Sequence, residues 1–103
     1  MGYPVQTLKS FQKIVATAGT ELPLTATSIL VSKCRIRALD GNTGLVYVGD
    51  STVSSTNGYP LTKGDELVLE ALLDNQDKNQ LDLSAIYVDA ATNADGVAVI
   101  YCD

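Results

Sequence analysis

The chain has 103 residues and a formal net charge of −5, which suits one domain and excludes nucleic acid as the main partner, because binding a phosphate backbone needs a cationic surface. It contains no histidine, so the commonest proton shuttle and a common zinc ligand are both missing. No apolar run approaches the ~18 residues of a membrane helix, while Val, Ile, Leu, Thr and Tyr outnumber the strong helix formers, a mix that favours sheets.

Residues 1–10 contain Pro4 and show no period. They are expected as an extended arm ahead of a single β-sandwich domain at 11–103. "FQKIVATA" (11–18) reads as a strand in which Phe11 and Lys13 alternate against Gln12 and Ile14, stopped by Gly19. "TELPLTATS" is a short edge segment, since Pro23 cannot donate to a ladder. "ILVSKCRIRAL" (29–39) is the first strong strand, placing Cys34, Ile36 and Ala38 on one face and Lys33, Arg35 and Arg37 on the other. "DGNTG" then predicts a tight hairpin with "LVYVG" (45–49) as the return strand.

Residues 50–60, "DSTVSSTNGYP", form a Ser/Thr/Asn-rich loop. After the turn "TKGDE", "ELVLEALL" puts Leu67, Leu69 and Ala71 on one side. "LDNQDKNQLD" is polar, with room for one helical turn. "LSAIYVDA" (83–90) is a strand, "ATNADG" a turn and "VAVIYC" (97–102) the closing strand. About seven short strands at regular spacing predict an all-β fold, a small antiparallel β-sandwich (jelly-roll-like) or barrel.

Chemistry is sparse along this frame. Cys34 and Cys102 stand far apart with no C-x-x-C, which argues against zinc; they could form a disulfide if their strands are neighbours, but a chain made in a reducing cytoplasm favours two buried free thiols. The N-terminus lacks a basic segment followed by an apolar core, so no secretory signal is expected. No G-x-S-x-G is present. Asp50 and Asp89 end two similar stretches, "LVYVGDSTV" and "AIYVDAATN". An Asp at a strand exit ordinarily bonds its own loop backbone in an Asx-turn, which outweighs a catalytic carboxylate pair. "NADG" (93–96) overlaps a calcium loop but lacks its first ligand and terminal Glu. Neither a catalytic residue, a cofactor nor a metal site is expected.

Residues 1–63 carry six cations against three anions, a balance of +3, whereas 64–103 carry nine anions against one cation, a balance of −8. Such polarity suits head-to-tail contact between copies or orientation on a larger surface, unless folding mixes the signs. The stripe Lys33, Arg35, Arg37 is either a contact for an acidic neighbour or a solvated face paired to Glu66 and Glu70.

At "NTGLVYVG" (42–49), "NGYPL" (57–61), "GDE" (64–66) and "IYVDAATNADGV" (86–97) the chain resembles a recurrent type of small virion protein of tailed bacteriophages. The likeness covers about two-thirds of the chain, roughly residues 36–101. It implies a non-enzymatic β-sandwich, a head decoration (cement) protein that binds the outer capsid lattice and stabilises it. The partners implied are the major capsid protein and copies of itself, in a ring such as a homotrimer, with no nucleic acid and no membrane. Assembly would occur in the host cytoplasm and the final location would be the capsid exterior. The expected contacts are the arm (Tyr3, Pro4, Val5), Arg35 and Arg37, and the loop from Ser51 to Tyr59. The alternative is a neck or tail appendage with a carbohydrate- or receptor-binding role, for which Tyr59 is the one aromatic platform.

Overall fold

The computed structural model describes residues 8–70 and 81–102. Its strands are β1 (Leu8–Val15), β2 (Leu22–Pro23), β3 (Leu30–Val31), β4 (Lys33–Ala38), β5 (Val46–Gly49), β6 (Tyr59–Leu61), β7 (Glu66–Glu70), β8 (Leu81–Asp82), β9 (Tyr87–Ala90) and β10 (Asp95–Cys102), with a 3₁₀ turn at Leu83–Ala85. All of these strand pairs are antiparallel. One sheet, A, has the order β1-β10-β4-β7, and a second, B, has the order β2-β9-β5-β6. The short pair β3-β8 stands apart from both.

With β3 and β8 set aside, the eight remaining strands run 1-8-3-6 in sheet A and 2-7-4-5 in sheet B. That is the order of a jelly roll, two Greek keys folded into a double sheet. The expected sandwich is therefore present, and neither sheet closes into a barrel. Among these eight, successive strands switch sheets at every step except β5–β6, which form a hairpin.

Alternation builds the core. β4 reads exposed–buried along its length, with Cys34, Ile36 and Ala38 inward and Lys33, Arg35 and Arg37 outward, as the sequence pattern predicts. Val97, Val99 and Tyr101 face the core from β10, and Val46, Val48, Val88, Ala90 and Leu61 face it from sheet B. Each fully buried Val or Ile contributes about 1.5–3 kcal/mol by leaving water. On the inner side Phe11 meets Tyr101 edge to face, ring centroids 6.1 Å apart at 73°. Cys34 is a buried free thiol whose pKa burial pushes up, disfavouring the thiolate.

Several expectations are corrected. "DGNTG" is not a hairpin turn: β4 lies in sheet A and β5 in sheet B, so this segment carries the chain across the sandwich. A local turn signal says that the chain reverses and nothing about which sheet receives it. Leu83–Ala85 is a 3₁₀ turn instead of strand, because Asp82 caps it by accepting from the Ser84 amide at 2.9 Å. Tyr59 and Pro60 belong to β6 and not to the loop, which ends at Gly58. β1 starts at Leu8, so the last three residues of the expected arm stand in sheet A. Tyr3, Pro4, Val5 and Ala71, and most of the segment expected to hold a helical turn, lie outside the described residues.

Candidate interaction surface

The two outer faces of the sandwich differ. On sheet B, Tyr47 and Asp89 point away from the core yet are only 8% and 3% exposed. The chain's own loops roof this face. The Gly19 amide donates to Asp89 Oδ1 at 3.0 Å, and the loop at 50–58 lies against Tyr47, where a Cβ on Gly58 would come within 2.5 Å of the Tyr47 Cβ.

That loop is a built structure. Asp50 Oδ1 accepts from the Thr52 amide at 2.9 Å and the Thr52 hydroxyl at 2.6 Å, the expected Asx-turn, and these bonds hold its carboxyl below the ordinary carboxylate range. Val53, 2% exposed, is buried beneath the loop against Gly49 and Gly58. Asn57 Oδ1 accepts from the Ser54 amide at 2.7 Å, and its Nδ2 donates to the Thr52 carbonyl at 3.1 Å. Ser51, Ser55 and Thr56 remain exposed, and Tyr59, 57% exposed, stands next to them on the edge strand β6.

Among the described residues, no strand, turn or loop roofs the outer face of sheet A in the same way. Register aligns Ser10, Ile100, Arg35 and Val68 in one row and Gln12, Ala98, Arg37 and Glu66 in the next. Leu8, Ile14, Val68 and Ile100 are exposed large apolar side chains of these strands, and a shallow open depression of about 360 Å³ lies between Leu8, Lys33, Arg35 and Ile100. The basic stripe is paired: Lys33 with Glu70 at 3.8 Å, Arg35 with Glu66 at 3.7 Å and Arg37 with Asp40 at 3.0 Å. Pairing of β4 with β7 thus mixes charges that the sequence keeps apart at Lys33 and Arg35, while Arg37 meets Asp40 three positions on, and at this exposure each pair adds little. The structure places Arg35 and Arg37 on the outer face of sheet A, Ser51 in the loop over the outer face of sheet B, and Tyr59 opposite Val48 on the inward row of edge strand β6, so these expected contacts do not form one patch.

The echoed stretches are antiparallel partners, Val48 opposite Val88 and Gly49 opposite Tyr87. Their exits therefore lie at opposite ends, which removes the carboxylate pair. Asp89 also departs from the Asx expectation, since besides its own Ala90 amide it holds Gly19, seventy positions away.

Missed from sequence is a polar clasp between the 42–44 and 92–96 segments. Asp95, 4% exposed, accepts from the Thr43 amide through both oxygens at 3.0 Å and from the Gly44 amide at 2.8 Å. Asn42 Nδ2 donates to the Gly96 carbonyl and Asn42 Oδ1 accepts from the Gly96 amide, each at 2.9 Å. A Cβ on Gly96 would run into the Lys13 carbonyl, so only glycine fits there. Asn93 Oδ1 accepts from the Ala18 amide at 2.7 Å. The oxygens of the calcium-like "NADG" are thus occupied by backbone amides, and among the described residues no cluster of potential metal ligands occurs. The signal was present in the Asx-rich turns, but their joining across fifty residues is tertiary.

Comparison of the chain with protein-family models, with curated proteins and with solved structures finds no match in any of the three.

Proposed function

We propose that this chain is a structural virion protein of a tailed bacteriophage, a capsid decoration protein that binds the outer head lattice and reinforces it. The resemblance at residues 42–49, 57–61, 64–66 and 86–97 supports the class. The structural observation that carries the reading is the asymmetry of the jelly roll. Sheet B is roofed by its own loops, while sheet A presents four exposed apolar side chains beside paired charges. Jelly rolls recur in viral capsid domains, although a fold alone does not define a function. A strip of this size gives a weak single contact, which repetition over a lattice converts into firm attachment.

Purified protein added to undecorated capsids is expected to co-sediment with them and to raise the temperature at which they release DNA. Absence of both effects overturns the decoration reading, whereas a location at the neck of the virion leaves the broader class standing. Arg35→Glu with Arg37→Glu tests the stripe: retained binding with an intact fold removes it from the contact.

A second reading, a carbohydrate- or receptor-binding appendage, is favoured by exposed Tyr59 next to the hydroxyl-rich loop. A glycan screen with clear hits that vanish in Tyr59→Ala would reverse the ranking.

A further inference from the structure

Loop 50–58 ends in Asn57–Gly58, and packing explains the glycine. Any Cβ at position 58 would lie 2.5 Å from the Tyr47 Cβ, 2.8 Å from Val53 Cγ2 and 2.9 Å from the Ser54 carbonyl oxygen. The Asn is equally specified, because its carboxamide must accept from the Ser54 amide and donate to the Thr52 carbonyl at once. An aspartate there offers only the first of these, having no N–H donor when ionised. The fold therefore requires, at an exposed site, the dipeptide whose side-chain amide is most open to attack by the next backbone nitrogen, since glycine puts no side chain in the way.

The same contacts restrain the reaction. The Gly58 N–H is donated to the Ser54 carbonyl at 2.9 Å. The Asn57 carboxamide is held from both ends, with Ser54 Oγ adding a longer contact at 3.3 Å. Attack needs the Gly58 nitrogen deprotonated and turned onto Asn57 Cγ, which breaks these bonds together.

We propose that Asn57–Gly58 is a modification site gated by the fold, stable while the loop is closed and deamidated when it opens. The step needs only water and base. The Gly58 nitrogen loses its proton and bonds to Asn57 Cγ, the Cγ–Nδ2 bond breaks, and ammonia leaves a five-membered succinimide. Water then opens either ring carbonyl, giving aspartate or isoaspartate. Neither product restores the loop. The aspartate product sets a carboxylate against the Thr52 carbonyl where an N–H stood. The isoaspartate product lengthens the backbone and moves Gly58 off Tyr47. Opening of the loop is thereby recorded irreversibly in the covalent structure.

The test compares the native chain with the same chain unfolded in urea, in one mildly alkaline buffer, by peptide mass spectrometry in ¹⁸O-labelled water. Conversion at Asn57 is expected to be at least roughly tenfold slower in the native protein, as for chemistry that waits on local opening. Val53→Ala, which thins the buried anchor under the loop, should raise the native rate with the overall fold intact by circular dichroism. Equal rates in native and unfolded wild type overturn the proposal, as does a native rate in Val53→Ala identical to that of wild type.

Discussion

Asp95 sits under the 42–44 segment with both carboxylate oxygens taken by backbone amides. Asp95→Ala leaves two N–H groups without their acceptor and should lower stability by about 2–4 kcal/mol, the range for charged hydrogen bonds and stranded donors. Asp95→Asn, which keeps one oxygen acceptor, should lose less; urea unfolding measures both. Asp50 differs, being open to solvent, with Thr52 bonded to its carboxylate. Its pKa is depressed in the fold, so the turn is fully supported above the unfolded value and loses that support as pH falls through the folded one. The Thr52 amide resonance should therefore titrate with a midpoint below the ordinary carboxyl value of 3.8, and a midpoint at or above it would contradict the bond. Residue type made the Asp50 turn legible, because its partner lies two positions away. The Asp95 clasp was illegible, because its partners lie fifty positions away and become neighbours only when β4 and β10 pair.

At the scale of elements, each outer strand of the two sheets carries a feature that discourages further pairing. β2 contains Pro23, β6 contains Pro60, β7 presents Glu66 and Glu70, and β1 holds Lys13 on its inward row opposite Val97. These are the usual means by which a sheet avoids edge-to-edge aggregation. Lys13→Val should preserve the strand while raising light scattering on concentration or mild heating; unchanged solubility would assign Lys13 to solvation alone. Strand positions and faces were largely readable from sequence, since period-2 alternation is a local property and β4 displays it cleanly. Sheet membership was not. The hairpin expected at 40–44 failed because a crossover and a hairpin use the same Asp-Gly chemistry. The candidate contacts suffered the same limit: Arg35 and Tyr59 are each exposed as expected, and only the topology puts them on different faces.

For the molecule as a whole, the strand nearest the C-terminal end of the sequence is a central one. β10 lies between β1 and β4 and supplies Val97, Val99 and Tyr101 to the core. A chain stopped at Asn93 removes the sheet neighbour of β1 and should show no cooperative thermal transition by circular dichroism. A cooperative melt in that truncation would mean that sheet B folds independently. Pairings such as Phe11 with Val99 close very long loops, so refolding of the full chain is expected in the millisecond-to-second range of β-rich topologies. The same register has a consequence for biosynthesis. At the usual pace of a ribosome, β1 leaves the exit tunnel on the order of ten seconds before the strand that will cover it. Throughout that interval it is a nascent strand with both edges bare. Lys13, a half-buried charge in the finished sheet, is then fully in water and, with Lys9, gives that bare strand the positive charge that discourages edge pairing.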